Sequence, residues 1–438
     1  MDRDAHELAR TLMPGLRVAV VGGGWAGVAA AVESTLRGHA VTLFEMAPQL
    51  GGRARRVDID GLSLDNGQHI LIGAYRETLR LMQTVGVEID EAFLRTPLRL
   101  TMPDGHGLRL PGGPPMIAFA RGVIGQRAWH LRDRLALLAA AGGWALNGFR
   151  CPAQTTVAEL TAGLPPSIRA ELIEPLCVAA LNTPARSASA TVFLRVIRDA
   201  LFSGRGSADL LLPRQRLSEL LPAPAQQWLR ERRADVRLSC RVEQLARRDD
   251  GWSADGEVFD AVVLAATAVE AARLVRPFAP DWAADAAALR YEPIVTVYAH
   301  SAGTRLSQPM LALPSDEHRD PAQFVFDHGQ LGGRDGVLAF VISGAQPWLD
   351  RGIEPTRDAT LAQGERLLGT QLRAPLKTLR VLTEKRATFR CVPALQRPPS
   401  RIAPGLQAAG DYVEGPYPAT LEGAVRCAVA AVKALPNS

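Results

Sequence analysis

The sequence predicts an α/β protein: a nucleotide-binding domain built on a parallel sheet, interrupted by an inserted α+β domain. Three observations predict it. A β-branched run near the start ends in a glycine turn, strand-like runs return in the middle of the chain, and a strand, a Gly-Asp turn and a helix follow near its end. At 438 residues the chain is too long for one simple core, so two or three domains are expected. A hydrophobic content of 47% with 22% charged residues is that of a globular protein.

Arg17 to Gly22 (RVAVVG) reads as the first strand, Trp25 to Leu36 as an alanine-rich helix, and Ala40 to Glu45 as the second strand. That is β-α-β within about thirty residues, the unit of a parallel sheet. From Tyr75 to Gly204 the pattern turns to longer Leu/Ala/Arg-rich helical segments, such as Arg132 to Trp144. Strands are expected at Val236 to Val242, Trp252 to Ala254 and Ala261 to Ala265, then at Arg290 to His300 and Gly336 to Ser343. A helix over Arg357 to Leu372 precedes a strand at Gly405 to Ala409, a turn at Gly410-Asp411 and a helix over Thr420 to Ala434. The division this implies is a nucleotide domain in three parts (15–75, 206–285 and 386–438). A substrate domain occupies 76–205, mainly helical, and 286–385.

Charge and cysteine usage exclude several classes. The formal charge of +5 is carried almost wholly by arginine, and it is dispersed without a run of five or six, which argues against nucleic acid. Five scattered cysteines with no C-x-x-C pair argue against a disulfide framework and a thiolate metal site; no metal is expected, and a reducing, cytoplasmic setting is the simplest reading. Met1 to Gly15 is charged and does not read as a signal peptide. No stretch reaches the ~18 apolar residues that cross a bilayer. The apolar helices around Met116 to Ile124 and Leu135 to Leu146 read first as helical core and second as a lipid entrance, since neither shows clean basic and apolar faces.

Gly22-Gly23-Gly24-Trp25-Ala26-Gly27 places glycines at G-x-G-x-x-G. Gly22 permits the tight turn, Gly24 lets backbone approach a pyrophosphate, and Gly27 lets helix pack on strand. The helix start, through Trp25 and Ala26, offers free N–H groups to phosphate. Glu45, at the end of the second strand, suits ribose hydroxyls. Gly51-Gly52-Arg53 and Asp65-Asn66-Gly67-Gln68-His69 follow, and Ala408-Ala409-Gly410-Asp411 with Gly423-Ala424 lies far downstream.

With these segments the chain resembles the flavin amine oxidase and phytoene desaturase superfamily. The resemblance implies a Rossmann-like FAD-binding domain, with Gly52 and Arg53 along the diphosphate and Gly67 and Gln68 close to the flavin. It also implies the backbone of Val242 beside the adenine, and Gly410, Asp411, Gly423 and Ala424 around ribitol and the ring. No Cys-Tyr segment of the type that attaches flavin covalently is present, so dissociable FAD is expected. Three longer strings, Asn66 to Tyr75, Leu176 to Pro184 and Gly410 to Ala424, resemble the hydroxysqualene dehydroxylase family of bacterial squalene and hopanoid synthesis.

That resemblance implies reduction of hydroxysqualene to squalene, with hydride from reduced FAD and loss of water. Expulsion of an allylic hydroxyl needs a proton donor and a dry site. His69, Glu414, Tyr412 and Tyr417 are the candidates, Glu414 on the condition that it is desolvated. The electron donor that reduces the flavin has no motif of its own, and peripheral contact with the inner face of the membrane suits the lipid substrate. Two alternatives stay open: a desaturase or oxidase of another polyprenoid or amine, and a non-catalytic prenyl- or lipid-binding protein of the same fold.

Overall fold

Parallel pairing gathers one sheet from three distant stretches of chain. Strand β1 (Arg17–Val21) pairs on one side with β2 (Ala40–Phe44) and on the other with the strand Ala261–Leu264, so that Val20 lies between Leu43 and Val263. Asp235–Arg237 extends the sheet beyond β2, and Leu406–Ala408 extends it beyond Ala261–Leu264, again in parallel. Arg401–Ala403 closes the far edge as the single antiparallel strand. The structure is a computed structural model and describes residues 15–59 and 61–436. The charged stretch 1–14, read above as lacking a signal peptide, lies outside the described residues.

Both faces of this sheet are covered, which is why its central strands are almost purely apolar. Successive side chains point to opposite faces. Val18 and Val20 pack under helix α1 (Trp25–Leu36) and the helix Leu421–Lys433, whereas Ala19 and Val21 face Trp252 and Phe259 of a three-stranded meander. Helix α1 is buried continuously from Trp25 to Ser34, and its run of alanines lets it sit against strand and helix at once.

A second sheet is antiparallel and five-stranded, in the order Met310–Ala312, Phe324–Asp327, Val337–Ile342, Tyr291–His300, Lys377–Phe389. Its two longest strands pair from Tyr291 with Phe389 to His300 with Lys377. Helix Ile353–Leu368 closes one face over Val295, Val297 and Phe340.

Three expectations are corrected. The strand expected at Val236 to Val242 is Asp235–Arg237, because only those residues find partners in β2; the next N–H groups, of Ser239 and Cys240, turn to Ala47 and Glu45. The helix expected over Arg357 to Leu372 begins four residues earlier, after Gly352 at φ +107, and carries Pro355 in its first turn. The stretch expected to be helical from Tyr75 to Gly204 also contains short strands at Phe93–Thr96, Arg99–Thr101 and Gly107–Arg109. Among the described residues no helix is long and apolar enough to cross a membrane.

Candidate active site

The site begins where β1 meets α1. Gly22 holds φ +106, and a Cβ there would lie 2.6 Å from the Ala265 carbonyl oxygen. A Cβ on Gly27 would come within 1.7 Å of the Gly22 carbonyl oxygen, so helix and strand touch only because neither side chain exists. No side chain caps α1 at Gly24, and backbone N–H groups are presented at this helix N-terminus, beside Gly51. The Trp25 indole is a brace: it is buried and donates to the Ala54 carbonyl at 2.9 Å.

The Gly51-Gly52-Arg53 turn folds over this helix start. Gly51 N–H donates to the Gly23 carbonyl at 2.8 Å, and a Cβ on Gly52 (φ +59) would approach Gly24 Cα to 3.0 Å. Two glycine backbones thus meet closely with no side chain between them. Glu45, 8% exposed, accepts from the N–H groups of Gly23 (2.6 Å) and Ala47 (2.7 Å), which fixes its carboxylate beside the turn. Val242 lies in an extended connector rather than a strand, and its carbonyl accepts from Arg273 at 3.0 Å.

Arg53 reaches across to the rest of the molecule. It donates to Asp411 Oδ1 at 2.6 Å and to the Ala387 carbonyl at 2.7 Å. Asn66 donates to the Arg53 carbonyl and to Glu384, both at 3.0 Å, which brings Gly67 (φ +89), Gln68 and His69 to the same place. Gly410 carries the Tyr412 ring folded back over it: a Cβ there would lie 2.6 Å from Tyr412 Cε1. Gly423 is required by contact, since a Cβ would lie 1.8 Å from the Tyr417 carbonyl oxygen.

The helix Leu421–Lys433 is capped by the Thr420 side chain. Gly423 N–H donates to Thr420 Oγ1 at 2.9 Å and Ala424 N–H to the Thr420 carbonyl at 3.0 Å. Leu421 and Glu422, at the first two positions, carry the N–H groups that a helix start leaves without an intrahelical acceptor.

The four candidate acids separate by environment. Burial, helped by the charge of Arg53, pulls His69 below the usual histidine range against the pull of the Gly67 carbonyl; it is the neutral base form that is favoured. Glu414 is exposed, so the desolvation that its acid role required is missing. Tyr417 is engaged elsewhere: it hydrogen-bonds Asp199 and carries the guanidinium groups of Arg426 and Arg195 over its ring at 4.7 and 5.5 Å. Tyr412 is 3% exposed, its hydroxyl has no partner, and burial raises it well above the usual tyrosine range. It therefore keeps its proton in a place where a partner is wanted.

Several residues of the site carry no local signal. Arg397 pins the 413–415 loop by donating to the carbonyls of Val413 (2.8 Å) and Gly415 (2.5 Å). A groove of about 400 Å³ is lined by Asp411, Glu414, Tyr417 and Gly423 with Arg397 and Arg426. A second, polar cavity of about 240 Å³ is lined by Asp65, Gln68, Arg216 and His328, which come from three separate segments. Burial pushes the Asp65 carboxyl up to about 6, opposed by the Leu217 N–H and by Arg216; burial and then Arg216 push His328 down to about 4. Asn182 is a brace: it donates to the Glu292 carbonyl and Thr388 and accepts from Gly344 N–H.

The cleft fits FAD. An uncapped helix start and two facing glycine backbones suit a diphosphate, and the buried Glu45 suits ribose hydroxyls. Three buried polar atoms without partners, Tyr412 OH, Gln68 Oε1 and Thr296 Oγ1, belong to the segments around Arg53 and Gly67. Fold and site together define a flavin-dependent oxidoreductase.

Residues 25–435 match the family described as flavin containing amine oxidoreductase. The chain belongs to that family, and its cofactor is FAD. It is 27% identical to a hydroxysqualene dehydroxylase of Sinorhizobium fredii, over 93% of this chain and 95% of that protein. It is 28% identical to a hydroxysqualene dehydroxylase of Rhodopseudomonas palustris, over 93% and 96%. Among solved structures, an oxidoreductase from Methanosarcina mazei superimposes with a TM-score of 0.73 at 14% identity, covering 95% of this chain and all of that one.

Proposed function

We propose that the protein reductively removes the hydroxyl of hydroxysqualene to give squalene. The observation that carries the substrate is the likeness to two hydroxysqualene dehydroxylases across 93% of the chain. Bound reduced FAD supplies the hydride. The allylic C–O bond breaks, a C–H bond forms at the same allylic system, and one proton leaves with the hydroxyl as water.

The chain's own residues hold the cofactor and manage that proton. Gly24 and Gly52 admit the diphosphate, and Arg53 with Asp411 ties the glycine turn to the C-terminal loop. Of the four candidate acids Tyr412 fits best, since it alone combines burial, a retained proton and an unsatisfied hydroxyl. His69, held neutral, fits a hydrogen-bonding role better than an acid one. The substrate is a lipid, so peripheral contact with a membrane is part of this reading, and a separate electron donor must reduce the flavin.

Anaerobically reduced enzyme mixed with hydroxysqualene is expected to yield squalene by mass spectrometry, with return of the flavin absorbance near ~450 nm. Tyr412→Phe, with FAD still bound, is expected to slow that return by about 10²-fold, the low end for loss of a proton-transfer group. Turnover of an amine or a carotene precursor without squalene would replace this reading by that of an oxidase or desaturase.

A further inference from the structure

Six of the ten large apolar side chains exposed among the described residues fall within one short stretch: Met116, Ile117, Ile124, Leu131, Leu135 and Leu146. Leu146 is 91% exposed and Leu131 63%. They belong to two consecutive helices, Pro115–Gly125 and Leu131–Leu146, which pack against each other. On the second helix Leu131, Leu135, Ala139, Gly142 and Leu146 follow at intervals of three or four and are all exposed, so they form one outward stripe. Leu137 on the opposite side is 1% exposed and packs into the core.

The pair is firmly seated with this stripe outward. Trp129, in the connection, is buried and donates to Glu171 at 2.7 Å. Arg134 donates to the Ile124 carbonyl at 2.6 Å and so ties the second helix to the end of the first. A contiguous apolar face of this kind on a well-packed unit marks a surface that something covers.

The charges around it select the occupant. Residues 112–150 contain five arginines (Arg121, Arg127, Arg132, Arg134, Arg150) and a single acid, Asp133, which is 4% exposed and accepts from Ser167. Four of the arginines are exposed. Residues 112–150 therefore offer apolar side chains and cations to solvent and no exposed carboxylate, and the neighbouring Glu171 carboxylate is held by the Trp129 indole. A second copy docking by a twofold axis would bring arginine against arginine. A bilayer with anionic headgroups meets both features at once, taking the leucines and isoleucines below the headgroups and pairing the guanidinium groups at their level.

We propose that the helices Pro115–Gly125 and Leu131–Leu146 are a docking face for an anionic phospholipid bilayer. The face is connected to the site. Helix Pro115–Gly125 packs on helix Ala190–Phe202, whose Asp199 and Arg195 hold Tyr417 at the wall of the groove beside Asp411. Docking thus orients that groove relative to the lipid surface.

Flotation of the FAD-loaded full chain tests this with vesicles of phosphatidylcholine alone and of phosphatidylcholine with phosphatidylglycerol. Binding is expected to the mixed vesicles, at least about tenfold weaker to pure phosphatidylcholine, and weakened by about 0.5 M salt. Ile117→Asp with Leu135→Asp, and separately Arg121→Glu with Arg127→Glu, are each expected to lose at least about tenfold in partitioning. Retained FAD absorbance and an unchanged melting temperature show that these surface variants are folded. Equal binding of wild type to both vesicles, binding to neither, or undiminished binding of both variants would overturn the proposal. So would a dimer in solution that Ile117→Asp with Leu135→Asp dissociates. Partitioning is read without turnover, so it stands apart from the substrate assigned above.

Discussion

At the scale of single residues, the pair Arg53–Asp411 joins positions 358 apart in sequence with a contact of 2.6 Å. The Asp411 side chain is 11% exposed and that of Arg53 35%, so the contact is partly shielded from solvent. Asp411→Asn keeps an acceptor but removes the charge. Loss of a charge-assisted hydrogen bond at this place is expected to weaken FAD binding to the apoprotein by about tenfold or more, as fluorescence titration would read. An unchanged Kd would mean that the pair does not shape the site. Asp65 makes a prediction of the opposite sense. Its carboxyl is raised to about 6, so the folded chain holds a proton there that the unfolded chain gives up near 4. The associated stability is complete below about pH 4 and is lost as the pH rises through about 6. Asp65→Asn, which cannot ionise, should gain stability over wild type by about 2 kcal/mol between pH 4 and pH 7.5 in melting experiments. A constant difference across that range would contradict the raised carboxyl. The glycines, Glu45 and Asp411 were legible in the sequence because their spacing is local or their strings are long. Asp65, Arg216 and His328 were not, since only tertiary contact brings three segments to one cavity.

At the scale of elements, β1, α1 and β2 follow the sequence to within a residue, because hydrophobic period and glycine spacing are both local signals. Elements decided by a partner fared worse. Asp235–Arg237 stops where β2 stops offering hydrogen bonds, and the strands Arg99–Thr101 and Gly107–Arg109 exist through their mutual pairing. The exposed stripe on Leu131–Leu146 was hidden for a related reason: an alanine-rich, leucine-rich helix has the same composition in a core and on a lipid-facing surface. The tightest packing in the nucleotide unit is Gly27 on Gly22, where a methyl would meet a carbonyl oxygen at 1.7 Å. Gly27→Ala must push α1 off the sheet. It is expected to destabilise the protein by about 3 kcal/mol or more and to purify without yellow colour, as absorbance at about 450 nm would show. A yellow, fully stable Gly27→Ala protein would show that the helix can shift freely.

At the scale of the whole molecule, the residues proposed to hold FAD are spread over segments that begin near Gly22 and end near Gly423, so the bound cofactor would cross-link them. Adding FAD to the apoprotein at about 100 times its Kd should contribute about 2.7 kcal/mol, read as a rise in melting temperature that grows with FAD concentration. No rise would mean that FAD does not bind the folded apoprotein in preference to the unfolded chain. The sheet that frames this cleft has a consequence for how the chain is made. Its central strand β1 leaves the ribosome early, but its neighbour Ala261–Leu264 follows about 240 residues later, about 12–50 seconds at ordinary rates of elongation. Leu406–Ala408 and the helix Leu421–Lys433, which covers α1, come later still. During that interval Ala19 and Val21, which face Trp252 and Phe259, and the side of α1 that meets the helix Leu421–Lys433 have no cover. The nascent protein must shelter an unfinished sheet, by provisional contacts or a chaperone, until its last strand arrives, and FAD can be captured only after synthesis is nearly complete.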